Sequence, residues 1–186
     1  MRTYSSKGIV IRRINTGEAD KIVTILTKNL GKISLIAKGV RKLKSRKSSS
    51  LEIFTYLKFQ AARGKNIDIL TETESQNSFP NLRHHLILVG AAYHYCELVD
   101  KLLPDGLIAS QVSELLLSSM ENLASSSGKL ATLPQQIRLF EIKLLTILGF
   151  GLPESLTQQA LVNHIETIIE KPLKSRLFLL RLYNSR

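Results

Sequence analysis

The sequence predicts an α+β protein: an N-terminal five-stranded β-barrel followed by an all-α helical domain. Three observations carry this. Hydrophobic residues alternate with a period of two through residue 78 and recur at three- and four-residue steps after Pro80. The strands all precede the helices, an order that excludes a doubly wound parallel sheet. One long polar connection, Gly39 to Ser50, interrupts the strands.

The strands read as follows. Lys7 to Ile14 is a β-branched run ending in arginines. Asp20 to Thr27 alternates, with Ile22, Thr24 and Leu26 on one face and Val23 and Ile25 on the other. Gly31 to Lys38 places Ile33, Leu35 and Ala37 on one face. Lys32, Ser34 and Lys38 lie opposite, interrupted by Ile36. Asn29-Leu30-Gly31 makes a hairpin turn between these two strands. Ile53 to Ala61 and Ile67 to Glu74 complete the set across Arg63-Gly64-Lys65-Asn66. Five strands with one long connection fit an OB-type barrel, which binds oligonucleotides across one face. The domains are therefore expected at 1–78 and 79–186.

The helices follow. Leu82 to Leu103 carries apolar residues at helical spacing and ends at Pro104-Asp105-Gly106. A second helix runs from about Leu107 to Leu123, before Ser125-Ser126-Ser127-Gly128. A third begins at Pro134 with Thr132 as its cap and stops at Gly149. A fourth spans Glu154 to Glu170, and a last one Lys174 to Tyr183.

Charge separates the two parts. Residues 1–65 hold 16 Lys+Arg against 3 Asp+Glu, while residues 66–186 hold 10 against 12. The whole net charge of +11 thus comes from the first third of the chain, the pattern of a polyanion-binding module joined to a near-neutral one. Arg41 to Lys47 concentrates it, with Arg41, Lys42, Lys44, Arg46 and Lys47 after Lys38. Several cations on one loop suit an irregular phosphate backbone. Arg12 and Arg13 point to opposite faces of their strand, and the outward one is a phosphate ligand. Lys7 joins this DNA-binding set. Phe54 and Tyr56 share a face with Lys58 and offer a platform for stacked bases. In the helical part, Arg138, Phe140 and Lys143 bring cations beside apolar groups, a groove for an acidic peptide with an apolar end.

Other chemistry is not expected. His94 and Cys96 diverge on a helix, and no CxxC pair offers zinc spacing, so neither metal nor cofactor is predicted. Phosphate-loop, nucleophile-elbow and HExxH motifs are missing, and the chain is not read as an enzyme. One cysteine fits a reducing cytoplasm. The first residues do not read as a secretory signal, and no apolar run approaches the roughly 18–20 residues of a membrane span.

The run GEADKIVTILTKNLGKISLIAKGVRKLKSR, Gly17 to Arg46, with KGIVIRR before it at Lys7 to Arg13, resembles the opening of the RecO family. AAYHYCELVDKLLPDG (Ala91 to Gly106), RLFEIKLLTILGFG (Arg138 to Gly151) and KPLKSRLFL (Lys171 to Leu179) are similar to its later segments. The resemblance implies an N-terminal OB-fold, a helical C-terminal domain and a cytoplasmic, nucleoid-associated bacterial protein. It implies binding of single- and double-stranded DNA and annealing of complementary strands. It also implies partnership with RecR, binding of the acidic C-terminal tail of single-strand DNA-binding protein, and help in loading the recombinase RecA onto gaps. Many relatives carry a cysteine zinc module after the Leu-Gly-Phe-Gly segment; here Phe150-Gly151-Leu152-Pro153 runs straight into Glu154. From charge and barrel alone, an RNA-binding OB-fold protein and a basic scaffold protein are the alternatives.

Overall fold

The computed structural model describes residues 2–41, 49–125 and 130–184. The chain forms two compact units: residues 1–78 with 104–113, and residues 79–103 with 114–186.

The first unit is a closed barrel in the order β1-β2-β3-β5-β4. Its strands are β1 (Thr3–Thr16), β2 (Asp20–Thr27), β3 (Gly31–Ala37), β4 (Tyr56–Ala62) and β5 (Asp68–Asn77). All pairings are antiparallel except β3 with β5, where Leu35 meets Asp68 and Ile36 meets Ile69. This is the OB-type barrel that the alternation predicts. Its core contains Val10, Val23, Ile25, Leu35, Leu57 and Phe59, the inward set of a period-two pattern.

β1 is longer than its apolar run suggests because it serves two neighbours. Thr3 to Ile9 pair with β4, and Gly8 to Thr16 pair with β2. The register slips between Val10 and Arg12, the signature of a β-bulge, which bends a strand and raises its twist. Beside the slip, Val10 N–H donates to Thr55 O (3.0 Å) and Phe54 N–H donates to Val10 O (2.8 Å).

That second contact corrects the expected start of β4. Phe54 adopts φ 73°, and the strand begins only at Tyr56. Phe54 is 1% exposed, so it presents no face for a base. Alternation holds once the strand starts: Leu57 and Phe59 lie in the core, while Tyr56 is half-buried and Lys58 exposed.

The segment after Pro104 belongs to this unit. Asp105 pairs in parallel with Lys32, and Gly106 N–H donates to Lys32 O (2.9 Å). Lys32 Nζ, on a side chain only 7% exposed, reaches Asp105 Oδ1 at 3.1 Å. Residue 31 has φ 69°, and a Cβ there would lie 2.3 Å from Leu107 O. Only glycine meets both demands. With backbone groups spent on β3, α3 starts at Ser110 rather than Leu107.

The second unit contains α1 (Pro80–Arg83), α2 (Leu86–Leu102), most of α3 (Ser110–Ser125), α4 (Leu133–Leu148), α5 (Gln158–Ile169) and α6 (Lys174–Asn184). The expected first helix is broken at His84 and His85, where His85 is extended (φ −121°, ψ 108°). α2 packs on α4, α5 and α6, and Tyr95 stacks on Phe140 with centroids 4.0 Å apart. Thr132 is the N-cap residue of α4 but has helical backbone angles and makes no cap hydrogen bond. Thr157 does cap α5, accepting from Ala160 N–H at 3.3 Å, so that helix starts after the expected Glu154. No helix among the described residues is long and apolar enough to cross a membrane.

Replacing Gly31 by Ala should destabilise the protein by about 3 kcal/mol, since a backbone clash adds to the left-handed strain. Gly17 also has positive φ (54°), but nothing lies within 4 Å of its Cβ position. Gly17→Ala should therefore cost only about 1 kcal/mol. Urea unfolding of both variants measures the difference.

Candidate nucleic-acid interface

The basic segment is anchored on the barrel at its start. Asp20 Oδ1 accepts from Gly39 N–H at 2.7 Å. Arg41 N–H donates to Ala19 O (2.9 Å), and Arg41 Nη1 donates to Gly17 O (3.2 Å). Val40, between them, is buried in the core, and so is Leu51 on the far side of the segment. Lys42, Lys44, Arg46 and Lys47 lie outside the described residues. The described start of the stretch, Gly39 to Arg41, thus lies at the end of the barrel that carries the β1–β2 turn.

Arg12 belongs to the outer face. It pairs with Thr24, which pairs with Ser34, and the two hydroxyls are 3.1 Å apart. Arg12 is exposed, as are Lys38 and Arg41. Arg13 shares the inward parity of Val23 and Leu35; at the barrel mouth its guanidinium pairs with Glu52. Arg12 is thus the outward member of the pair. Lys21, opposite Ala37 on β3, adds a cation that the linear pattern hides, because its inward parity resembles a core position.

Lys7 lies elsewhere. It is on the half of β1 that faces β4, opposite Lys58, which in turn faces Glu74. Like charges directly opposite repel, and Glu74 offsets this pair on one side only. Tyr56 borders Lys58 on the same strand face and remains half-exposed.

A separate cluster closes the β4–β5 turn. Tyr4 Oη donates to Asp68 Oδ2 (2.8 Å), Arg63 Nη1 donates to the same oxygen (3.0 Å), and Gly64 N–H donates to Oδ1 (3.0 Å). Arg63 also stands over the Tyr4 ring, 4.7 Å from its centroid. Burial alone would raise the Asp68 carboxyl, but the Gly64 amide, Tyr4 hydroxyl and Arg63 charge together hold it below its ordinary value. Burial first, then the bond to Asp68, pushes the Tyr4 phenol up to about 12.

In the helical unit, Leu139, Phe140 and Lys143 line a pocket of about 270 Å³ against α3. Phe140 is buried in its floor, Lys143 is exposed, and Arg138 is exposed but not part of its lining. A larger pocket, about 460 Å³, has walls of Pro134, Ile137, Val162 and Leu179. Arg176 lines it too, its guanidinium bonded to Glu166 (3.3 Å) and Gln159 (2.9 Å). His94 lies at this pocket and holds three helices together. Its Nε2 is 2.8 Å from Glu141 Oε1 and its Nδ1 is 2.9 Å from Ser175 Oγ. Gln158 Nε2 donates to both Glu141 oxygens. Cys96 is buried, and burial pushes its thiol up. Among the described residues no group of three or more His, Cys, Asp and Glu side chains is arranged to hold a metal ion.

A closed OB-type barrel with cations at the end that carries the β1–β2 turn, accompanied by a helical unit with a largely apolar pocket, defines the class of this protein. The chain matches the family description "Recombination protein O N terminal" over residues 1–79 and "Recombination protein O C terminal" over residues 83–160. It belongs to the RecO family. It is 37% identical over 149 residues to a protein named DNA repair protein RecO from Roseiflexus sp. (strain RS-1), covering 80% of this chain and 51% of that relative. A Dehalococcoides mccartyi relative of the same name, from strain ATCC BAA-2266 / KCTC 15142 / 195, is 38% identical over 79% of this chain and 56% of its own length. One from Symbiobacterium thermophilum is 37% identical over 81% of this chain and 58% of its own. The chain thus spans little more than half the length of these relatives.

The Tyr4–Asp68 pair makes a pH prediction. Tyr4 ionises later in the folded protein than the ordinary 10.0, so its contribution to stability is full below pH 10 and lost as pH rises towards 12. Asp68, held low, contributes above the ordinary carboxylate range and loses its contribution as pH falls through its folded value. Tyr4→Phe should abolish the late phenol titration seen by ultraviolet absorbance. It should also move the Asp68 carboxyl, followed by NMR, upwards.

Proposed function

We propose that this chain is a DNA-binding mediator of repair and recombination. The basic segment from Lys38 to Lys47 grips the phosphate backbone of single- and double-stranded DNA, with Arg12 beside it and Lys7 on a second strand face. By neutralising two strands at once it anneals complements. The anchoring of the basic segment carries this reading. Val40 is buried in the core beside Arg41, and Arg41 is bonded to Gly17 and Ala19, so the charge of Arg41 is held at a defined place on the barrel. The names of the relatives, DNA repair protein RecO, support it.

The helical unit docks the acidic C-terminal tail of single-strand DNA-binding protein on α4. An acidic peptide with an apolar end fits the larger pocket, where aliphatic walls adjoin Arg176. The pocket at Leu139, Phe140 and Lys143 is smaller and includes serine hydroxyls. With RecR, the protein then helps load the recombinase RecA onto coated gaps. It acts by binding, without catalysing a reaction and without metal or cofactor.

Annealing of complementary oligonucleotides, bare and coated with single-strand DNA-binding protein, tests the whole reading. Acceleration on coated strands supports both the basic barrel and the tail site. Acceleration on bare strands alone removes the tail site. The charged segment has its own test. Neutralising about six phosphates gives a log–log salt slope of about −5 on duplex DNA. Replacing Arg41, Lys42, Lys44, Arg46 and Lys47 by Ala should flatten that slope by about 4 and weaken binding, with the fold intact by circular dichroism. An unchanged slope would remove the segment from the interface. Lys143→Glu and Arg176→Glu, compared by fluorescence anisotropy of a labelled tail peptide, distinguish the two pockets.

A further inference from the structure

The helical unit is near-neutral as a whole, but its charge is divided as sharply as that of the chain. Residues 171–186 hold 5 Lys+Arg and no Asp or Glu, while residues 79–103 and 114–170 hold 5 against 8. The basic stretch follows Glu170, the C-cap residue of α5, and supplies α6. Helical spacing divides α6 into faces. Ser175 and Leu179, both 7% exposed, face inward. Ser175 Oγ meets His94 on α2, and Leu179 lines the larger pocket. Lys174, Leu177, Phe178 and Arg181 stand at i, i+3, i+4 and i+7 and form an outward stripe. Lys174 and Arg181 are exposed, and so are Leu177, at 58%, and Phe178, at 36%.

The acids bonded to α6 are spent on other groups. Glu97 accepts from the Lys174 and Ser175 amides, and Glu166 accepts from the Leu173 amide and from Arg176. Among the described residues neither Lys174 nor Arg181 forms an ion pair. Lys174 stands in the first turn of α6, where the helix dipole disfavours a cation, so its charge does not stabilise the helix end. Two large apolar groups, each one turn from a cation on either side, fit a narrow ligand of the reverse pattern. That pattern is a helix with apolar residues at the same spacing, bracketed by carboxylates. A broad anionic surface such as a lipid bilayer reaches beyond one helix to a unit whose other residues are net acidic. A second copy of α6 laid antiparallel would set Lys174 against Arg181, and like charges in register oppose association.

We infer that the outer face of α6 docks an amphipathic helix of a partner protein whose apolar stripe is bracketed by Asp or Glu. Leu177 and Phe178 pack on the partner's apolar stripe, and Lys174 and Arg181 pair with carboxylates at its two ends. α6 has 11 residues and is about 16 Å long, which limits the contact to the weak, transient class. The assignment rests on neither the DNA-binding reading nor the tail site, since none of the four residues lines either pocket.

The probe is a fluorescein-labelled synthetic helix with leucines at i, i+3, i+4 and i+7 and glutamates beside them. Two controls replace its leucines by alanine or its glutamates by lysine. Fluorescence anisotropy with the full chain should show the leucine–glutamate helix binding about tenfold tighter than either control. Combining Leu177→Ser and Phe178→Ser should remove the preference over the alanine control. Combining Lys174→Glu and Arg181→Glu should reverse the preference between the glutamate and lysine helices, which a structural role for these exposed side chains would not do. Both variants should keep the wild-type circular dichroism. If the serine variant does not fold, the charge reversal alone decides. Equal binding of all three peptides by the wild-type protein overturns the proposal. So does a folded charge-reversed variant that keeps the wild-type preference. Binding to vesicles of phosphatidylcholine and phosphatidylglycerol without binding to the probe overturns it in favour of a lipid surface. Self-association in sedimentation that is lost in the serine variant overturns it in favour of a second copy.

Discussion

Everything in the barrel depends on the double pairing of β1. A single strand of 14 residues bonds to β4 through its first half and to β2 through its second. One straight strand cannot follow both neighbours around so tight a closure. The slip between Val10 and Arg12 supplies the bend. It also decides where side chains go. Val10 points into the core, yet two positions later Arg12 pairs with Thr24 on the outer face. Without the slip, Arg12 would share the parity of Val10 and a guanidinium would be directed into an apolar core, where an unpaired charge is very costly. Closure of the barrel and presentation of Arg12 and Ile14 are therefore one structural event.

The second constraint is the attachment of the 104–113 segment to β3. β5 meets β3 only at Leu35 and Ile36, which leaves the start of β3 without a strand on that side. The connection after α2 fills this place with a parallel bridge at Asp105 and a bond from Gly106. Lys32 is nearly buried as a result, and its ammonium finds a carboxylate that is itself 78% exposed. The counterion stays hydrated while the lysine stem is covered, so the pair avoids most of the penalty for desolvating two charges. The barrel's apolar core is thus built within residues 1–78, but one of its edges is finished by a segment far along the chain.

Local pattern carried most of the fold, and the exceptions share a cause. β2 and β3 were legible to within a residue because they pair with each other in one unbroken antiparallel ladder and alternate accordingly. β4 was misread at its start because Phe54 and Thr55 continue an apolar run but spend their backbone bonds on the slip in β1. The break at His84–His85 was hidden in the same way, since helical spacing runs through it. Thr132 has the position of a cap, and its helical dihedral angles and the missing cap hydrogen bond show that its side chain does not act as one. The cations of residues 38–47 were legible as composition. The alignment of Ile14, Ile22, Ile36 and Ile69 across the sheet was not, for each isoleucine sits in a different strand and only register aligns them. Its one local trace was Ile36, an apolar residue out of phase.

In the proposed function the two units answer different physical problems. Phosphate binding needs dense, hydrated charge, which a protein keeps cheaply at a barrel end and on a polar connection, outside any core. Binding a peptide end needs fixed walls, since a pocket that must order itself first loses affinity. The helical unit contains a buried polar tie. His94, Glu141, Ser175 and Gln158 join α2, α4, α6 and α5, and Glu97 holds the first amides of α6 through both carboxylate oxygens. His94, Gln158 and Arg176 also line the larger pocket. The bonds that set the helices in register thereby set the width of the cavity between them. Arg41 is placed on the barrel by a buried neighbour in sequence, Val40, whereas the pocket is shaped by buried neighbours in space.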